Sequence, residues 1–138
     1  MENENNLIAD ASATLGRVQY QAIITSGGHT IISDEPEDMG GKDTGMAPYG
    51  LLLGSLASCT IITLRMYIER KMWVIDEIKI NLELFKTPNG VFIESKISFT
   101  GEVTDEQRKR LLTIADACPI HKLLVGNIDI NNQLAGVI

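Results

Sequence analysis

The sequence has only two cysteines among its 138 residues, Cys59 and Cys118, and no cluster of basic side chains. Its twelve lysines and arginines are scattered along a chain that also carries eighteen acidic residues, for a net charge of −6. This balance argues against nucleic acid as a partner. A chain of this length can bury enough surface to fold as a single domain without metal or disulfide crosslinks. We therefore expect function to reside in a local site.

Targeting and membrane signals are also lacking. The opening residues, MENENNLIAD, contain neither the basic nor the apolar stretch of a secretory leader, and we expect a cytoplasmic protein. The longest apolar stretch, residues 51–64, is interrupted by polar side chains and falls short of the about 20 residues that span a bilayer. Because static disulfides are rare in the reducing cytoplasm, the two cysteines are expected to be buried thiols, metal ligands or a redox pair.

The first third of the chain predicts a β-hairpin followed by a loop. Apolar residues alternate with polar or smaller ones over residues 15–24, a Ser-Gly-Gly turn follows, and residues 29–32 are typical of a returning strand. Residues 34–45 are rich in glycine and acids without periodicity, which indicates a loop. Residues 1–13 are interpreted as a leading segment.

A long helix is predicted over residues 48–71. Pro48 suits the first turn of a helix, and after that first turn the range contains no residue that disfavours helix except Gly54. The first four turns are mostly apolar, so we expect this helix to be buried nearly all round. Since one chain of this size offers limited sheet to enclose it, we infer pairing with a second copy.

The second half predicts a hairpin, two helices and a final strand. Alternating residues over 78–84 and 91–99 flank a Thr-Pro-Asn-Gly turn. Thr104 and Gln107 form a capping box for a helix that ends at Cys118. Pro119 can open a short helix with Cys118 as its N-cap. With a strand expected over 128–134, the fold class is α+β with a mostly antiparallel sheet, in one domain over residues 1–138.

Two familiar chemistries are excluded by spacing. Residues 40–44, GGKDT, resemble part of a phosphate-binding loop, but Asp43 stands where the motif needs serine or threonine directly after the lysine. No serine lies in a Gly-x-Ser-x-Gly turn between strand and helix. Ser55 and Ser58 lie inside the predicted helix, where their hydroxyls can bond to the carbonyl four residues earlier.

A zinc site is weakly indicated. Cys118 and His121 have a Cys-x-x-His spacing, and Cys59 and His29 could complete four ligands. Structural zinc sites usually combine two close ligand pairs, however, and here only one pair is close. We therefore expect no metal, with His121 facing solvent or bonding near a helix start.

The thiols remain as candidate reagents, with a buried structural role as the alternative. Cys59 lies among small residues that leave room beside its sulfur, and Cys118 lies where helix N–H groups can stabilise a thiolate. A reactive thiol needs such donors or a cation, because an ordinary thiol is mostly protonated at neutral pH. Arg17 and Arg65 are candidate cations. Arg65 follows Cys59 by six residues, which places it almost opposite on a helix.

Three segments, PYGLLL, LASCTIITLRMYIERKMW and CPIHKLL, resemble the OsmC/Ohr family of osmotically inducible and organic hydroperoxide resistance proteins. The resemblance runs from about residue 15 to the end of the sequence. It implies the OsmC-like fold, with mostly antiparallel sheets around a long buried helix that bears a cysteine. It also implies an intertwined homodimer with two active sites at the subunit interface.

The function that this resemblance implies is a two-cysteine thiol peroxidase without a cofactor. Cys59 would attack the peroxide and become a sulfenic acid, and Cys118 would condense with it to a disulfide. An external dithiol reductant would then restore both thiols. Family members also place an arginine near the thiolate, and Arg17 matches it.

One family feature is missing, since the glutamate expected in the two residues after Pro48 is replaced by Tyr49 and Gly50. Glu35 or Glu37 could substitute. Without that glutamate Arg17 is held less firmly, and peroxide turnover is expected to be slower or differently selective.

Substrate preference and two other functions complete the expectations. Apolar residues near the thiol, namely Met46, Leu53 and Leu56, are predicted to favour organic hydroperoxides over hydrogen peroxide. A small-ligand-binding or redox-sensing protein on the same fold, with slow or no turnover, is one alternative. An inert pair of structural thiols is the other.

Overall fold

The structure, a computed structural model, describes residues 5–136 and has an α+β fold with antiparallel sheets, as predicted. Its elements in chain order are β1 (Ser12–Leu15), β2 (Ala22–Ser26), β3 (His29–Ser33), a 3-10 turn (Glu37–Met39), α1 (Pro48–Arg70), β4 (Ile75–Thr87), β5 (Gly90–Gly101), α2 (Asp105–Ala115) and α3 (Pro119–Val125). The chain divides into two compact units, and the boundary falls inside α1, between Leu52 and Leu53.

The first unit contains a three-stranded antiparallel sheet in the order β1-β2-β3. The predicted hairpin is confirmed for β2 and β3, but the strand predicted over residues 15–24 is wrong in its first part. The chain turns there, because Gln19 has a φ of 33° and the N–H of Gln21 donates to the carbonyl of Val18 at 3.0 Å. The predicted leading segment includes the start of β1, and its first four residues lie outside the described ones.

The loop after β3 is organised by Asp34, which is 2 % exposed. Its carboxylate accepts hydrogen bonds from the Thr44 hydroxyl at 2.6 Å, the Thr44 N–H at 3.2 Å and the Glu35 N–H at 2.7 Å. The bond from the Thr44 hydroxyl is the main cause that lowers the pKa of Asp34 below 3.8, although burial opposes it. One carboxylate therefore ties together residues ten positions apart.

Two glycines in this loop are required by close approach of the backbone. A Cβ atom at Gly41 would overlap the carbonyl oxygen of Glu35, and one at Gly45 would overlap the carbonyl oxygen of Ile32. Gly41, one of the two glycines that suggested a phosphate-binding loop, thus has a steric reason in the folding of the loop itself.

Helix α1 confirms the predicted long helix, but it is not buried all round. Its buried residues follow one face at helical spacing: Leu56, Thr60, Leu64, Tyr67 and Ile68. Ile62 and Met66, on other faces, are 51 % and 65 % exposed. Within residues 5–136 of one chain the helix is covered on one side, so burial nearly all round stays a prediction that depends on a second copy.

The full length of α1 also exceeds the apolar stretch recognised in the sequence. An 18-residue window within Pro48–Arg70 has a mean hydropathy of 1.6, so this helix is long and apolar enough to cross a membrane by length and composition. Core helices of soluble proteins pass the same test.

The core of the second unit joins α1 to the β4-β5 hairpin and α2. Its buried members are Leu64, Tyr67, Ile68, Ile75, Leu111 and Ala115. Full burial of one large apolar side chain is worth about 1.5–3 kcal/mol, so this cluster is a main source of stability for the unit. The predicted hairpin is confirmed, with pairing from Thr87 and Gly90 at the turn back to Ile75 and Gly101.

The two short helices are also confirmed, whereas the last strand is not. The Thr104 hydroxyl accepts from the Gln107 N–H at 3.1 Å, and the Gln107 side chain accepts from the Thr104 N–H at 3.0 Å, which completes the capping box. Residues 127–136 form no strand. Ile130 and Leu134 are fully or nearly exposed, so the apolar residues that suggested a strand have no sheet to pack on within the described part of the chain.

Candidate thiol site

The second unit brings Cys59 and Cys118 together. Cys59 lies midway along α1 and is half-buried, and Cys118 is fully buried. Both are free thiols, and each shifts the pKa of the other, which identifies them as neighbours in the fold.

The position of Cys118 follows from the local sequence. Helix α2 ends at Ala115, and the N–H of Cys118 donates to the carbonyl of that residue at 3.2 Å. Pro119 then starts α3, with Cys118 in extended geometry as the N-cap. The His121 N–H donates to the Cys118 sulfur at 3.4 Å, so this sulfur occupies the place of a capping oxygen.

Hydrogen bonds favour a thiolate at Cys118. Burial alone would raise the pKa of Cys118, but donors outweigh it and hold that pKa below the ordinary value of 9.0. These donors are, in decreasing effect, the Cys59 thiol, the His121 N–H, the Thr60 hydroxyl and the Ile120 N–H. A thiolate accepts all of them more strongly than a thiol does.

Cys59 shows the opposite tendency. Burial raises the pKa of Cys59, and the neighbouring Cys118 raises it further, while the Ile120 N–H and the Thr63 hydroxyl lower it in part. The first proton lost by the pair therefore comes from Cys118, and Cys59 keeps its proton and donates it in a hydrogen bond. The predicted attack needs the thiolate on Cys59, so that cysteine requires further stabilisation of its charge.

Two threonines of the site were missed from the sequence. Thr63 follows Cys59 by four residues and so shares its helix face, which was a usable signal. Thr60 is 5 % exposed and reaches the Cys118 sulfur instead. Sequence alone did not reveal that contact, because it depends on how α3 packs against α1.

The two predicted cations belong to other parts of the chain sequence. Arg17 is exposed in the loop between β1 and β2 of the first unit, and its role at the thiolate stays a prediction. The guanidinium of Arg65 donates to the backbone carbonyls of Ile75 at 2.9 Å and Asp76 at 3.3 Å. Arg65 thus fastens the connection from α1 to β4, in agreement with its expected position away from Cys59.

The remaining candidates also have local roles. Tyr49 and Gly50 lie in the first turn of α1, and the N–H of Glu35 donates to Asp34 in the loop before it. His29 lies in β3, paired with Ser26. Residues 5–136 contain no group of three or more histidine, cysteine or acidic side chains that could hold a metal ion.

Fold and site together define a class of protein. It is an α+β protein in which a thiol from the middle of a long helix meets a thiol at the junction of two shorter helices. The family model described as OsmC-like protein matches residues 41–132, more than half of the chain. The chain therefore belongs to the OsmC-like family, as the sequence resemblance indicated.

Solved structures agree with this assignment. An OsmC-like protein from Mycoplasma pneumoniae is 20 % identical, with a TM-score of 0.68 and coverage of 88 % of this chain and 90 % of that one. The organic hydroperoxide resistance protein OsmC from Legionella pneumophila is 19 % identical, with a TM-score of 0.63 and coverage of 91 % and 95 %. The organic hydroperoxide resistance protein OhrB of Bacillus subtilis is 26 % identical, with a TM-score of 0.59 and coverage of 89 % and 94 %. No curated protein sequence matches the chain.

Proposed function

We propose that this protein is a thiol-dependent peroxidase that reduces organic hydroperoxides. The observation that carries the proposal is the proximity of two reduced thiols, Cys59 and Cys118, each of which shifts the pKa of the other. Cys59 is half-buried and can be reached by a substrate, and in this proposal the buried Cys118 reacts with the sulfenic acid that forms on Cys59.

The proposed reaction transfers two electrons in each step. The Cys59 thiolate attacks one peroxide oxygen, the O–O bond breaks, the alkoxide takes a proton and leaves as an alcohol, and Cys59 becomes a sulfenic acid. The Cys118 thiolate then attacks that sulfur, which forms the disulfide and releases water once the leaving hydroxide is protonated. An external dithiol reduces the disulfide by thiol exchange and is itself oxidised to a disulfide.

Proton transfer within the pair supports the first step. In this proposal Cys118, whose pKa is lowered, loses its proton first and then accepts the proton of Cys59, whose pKa is raised. The Ile120 N–H and the Thr63 hydroxyl then stabilise the charge left on Cys59. In this proposal Arg17 adds a cation at Cys59, as in the family peroxidases, despite the missing glutamate.

The proposed substrate is an organic hydroperoxide because apolar side chains precede the attacking thiol. Leu56, one turn before Cys59, is 7 % exposed, and Leu53 is half-buried. The Legionella and Bacillus proteins of the same fold are named for organic hydroperoxide resistance. We expect cumene hydroperoxide to be reduced faster than hydrogen peroxide, and the reverse order would contradict this substrate class.

The proposal includes a cytoplasmic homodimer with a dithiol reductant as its second substrate. The exposed apolar side chains of α1, such as Ile62 and Met66, support a second copy as their cover.

A substitution at Gly54 tests whether a second copy packs against α1, because nothing in residues 5–136 of one chain lies within 4 Å of a Cβ added there. In an isolated chain Gly54→Ala should stabilise α1 by about 0.5–1 kcal/mol. Where a second α1 packs closely, sedimentation should instead show a weaker dimer for this variant.

The deciding experiment follows free thiols by mass spectrometry after one equivalent of cumene hydroperoxide. Wild type should form the Cys59–Cys118 disulfide, and Cys118→Ser should stop at a sulfenic acid on Cys59. In Cys59→Ser the remaining thiol, Cys118, should stay reduced. A free Cys59 thiol in the wild type after peroxide would overturn the proposal.

Ligand binding without turnover is the weaker alternative at this site. A cavity of about 130 Å³ adjoins Thr60 and His121 near the thiols, lined also by Leu56 and Ile97. Ligand pockets usually measure about 300–1,000 Å³, so this cavity is too small for most organic ligands. A rise in melting temperature with ligand, without disulfide formation, would favour the alternative.

A further inference from the structure

A groove in the second unit, between the end of α1 and the start of α2, contains no part of the thiol site. Its volume is about 320 Å³, within the range of small-molecule pockets. The residues that line it are Tyr67, Lys71, Trp73, Glu106, Gln107 and Arg110. Aromatic rings, cations and an amide thus meet in one concave surface of suitable size.

Three cations lie near the ring of Tyr67, and two of them, Lys71 and Arg110, line the groove with it. The guanidinium carbons of Arg70 and Arg110 lie 5.5 Å and 5.7 Å from the centre of the Tyr67 ring, and the Lys71 ammonium lies at 5.6 Å. Trp73 packs edge-on against the same ring, with 5.6 Å between centres. This concentration of positive charge occurs in a chain whose net charge is −6.

These positive charges affect the hydroxyl of the buried Tyr67. It accepts a hydrogen bond from Nε of Arg110 at 2.9 Å. This bond is the main cause that lowers the pKa of Tyr67 below 10.0, and the charges of Arg110, Lys71 and Arg70 lower it further, while burial acts in the opposite direction. A negative charge is therefore favoured at this end of α1.

Donors remain available for a ligand. The bond to Tyr67 uses only Nε of Arg110, and a guanidinium has four more N–H groups on its terminal nitrogens, spaced to hold both oxygens of a carboxylate. Lys71 is exposed and adds a second cation. The carboxylate of Glu106 at the same groove disfavours a ligand with several negative charges.

We propose that this groove is a second binding site, for a small organic anion with one carboxylate and a planar apolar body. The carboxylate binds Arg110 and Lys71, and the apolar body packs on Trp73. The site does not use either cysteine, so the inference goes beyond the proposed peroxidase function and does not depend on it.

The experiment uses benzoate as the probe and fluorescence as the readout. Trp73 is the only tryptophan in the chain, so a change in tryptophan emission reports on this groove. Benzoate should change that emission saturably at millimolar concentration, and added salt should weaken the effect because charges are screened. Benzyl alcohol, which has a similar ring but no charge, should bind at least about tenfold more weakly, as expected when a charge-assisted hydrogen bond is lost.

Variants assign the charge to named residues. Lys71→Gln leaves the hydrogen bond of Tyr67 intact and should weaken benzoate binding about tenfold, the scale of one charge-assisted bond. Arg110→Gln should weaken it further. Lys79→Gln, which removes an exposed cation on β4 outside the groove, is the matched control and should bind as wild type does. Cys59→Ser should also bind as wild type does, whether or not the peroxidase proposal holds.

Three outcomes would overturn the proposal. The first is an absence of saturable change in the wild-type emission. The second is equal binding of benzoate and benzyl alcohol, which would mean that the cations do not participate. The third is an equal loss of binding in Lys71→Gln and Lys79→Gln, which would reflect net charge rather than a site.

Discussion

The regions around Cys59 and Cys118 differ in what they offer a sulfur atom. Cys59 lies within a continuous helix, half-buried, where two donors act against burial and its pKa is raised. Cys118 lies at a helix junction, fully buried, where four donors outweigh burial and its pKa is lowered. A helix interior satisfies its own N–H groups, whereas a helix start leaves them available. Access and ionisation are thus divided between two side chains in contact.

This division teaches that neither thiol suffices for peroxide chemistry by itself. The accessible thiol, Cys59, has the raised pKa, and the thiol with the lowered pKa, Cys118, is covered. A peroxidase built this way depends on transfer of a proton between the two, so the variants that separate the regions most clearly are those that change one of them alone.

The largest expected effect is the loss of catalysis in Cys59→Ser. Turnover of cumene hydroperoxide should fall by about 1,000-fold or more, the scale for removal of a covalent nucleophile. Ser58→Ala, which changes an exposed neighbour on the same helix, should keep nearly full activity in a coupled assay with a dithiol. Substantial activity in Cys59→Ser would mean that Cys118 reacts with peroxide directly and would break the comparison.

The next effect concerns the hydrophobic core of the unit that contains Cys118. Leu111 is completely buried on α2, so Leu111→Ala should lower the free energy of unfolding by about 2–5 kcal/mol in urea. Its neighbour Leu112 is 66 % exposed, and Leu112→Ala should change that free energy by less than about 0.5 kcal/mol. Alkylation of Cys118 should accelerate in the first variant and not in the second. Equal destabilisation by the two substitutions would contradict the described core.

A smaller effect should appear when only the donor from Cys59 is removed. Cys59→Ser keeps a hydroxyl that can donate to Cys118, whereas Cys59→Ala does not. The pKa of Cys118 should therefore be higher in Cys59→Ala, as measured from the pH dependence of its alkylation. Identical profiles would show that the thiols do not interact in solution.

The same pair of variants predicts how stability varies with pH. The pKa of Cys118 is lowered from 9.0 in the folded wild type, and we expect it to stay lowered in Cys59→Ser because the serine hydroxyl can still donate, so the unfolded chain should bind more protons between the two values. The free energy of unfolding should rise with pH through this window and level off above 9.0. This contribution of Cys118 to the free energy of unfolding should disappear as the pH falls through the pKa of Cys118 in the folded chain. The contribution should be smaller in Cys59→Ala.

The smallest effects distinguish the two threonines. Thr60→Val removes a donor to Cys118 and should raise the pKa of that thiol, while Thr63→Val removes a donor to Cys59 and should raise the pKa of Cys59 instead. Both pKa values can be measured from the rate of alkylation of each cysteine as a function of pH, with mass spectrometry as the detection. Shifts of the same cysteine in both variants would contradict the separate contacts.

Local signals in the sequence predicted much of the fold. The capping box at Thr104, the proline that opens α3 and the turn between β4 and β5 are each determined within a few residues, and all were confirmed. The prediction failed where distant contacts decide. The strand expected over 128–134 has suitable residues but no partner strand in residues 5–136, and the turn at Gln19 interrupts an alternating pattern.

The candidate site was predicted in part for the same reason. Cysteine content and helix junctions pointed to Cys59 and Cys118 as reagents, since these features are visible in the chain itself. The hydroxyl of Thr60 reaches Cys118 only because α1 and α3 pack together, and the order of ionisation depends on counting donors at each sulfur. Neither the contact of Thr60 with Cys118 nor the order in which the two thiols ionise can be predicted from sequence spacing.

The loop glycines have a consequence for how this chain tolerates variation. At Gly41 and Gly45 even a methyl group would overlap a backbone carbonyl, while at Gly50 and Gly54 an added methyl has no neighbour within 4 Å among residues 5–136. In a library of all single substitutions, selected for folded protein, the first two positions should lose every variant, including alanine. The two helix positions should be limited, if at all, by contacts between chains, so survival at these four positions would map where one molecule ends and its neighbour begins.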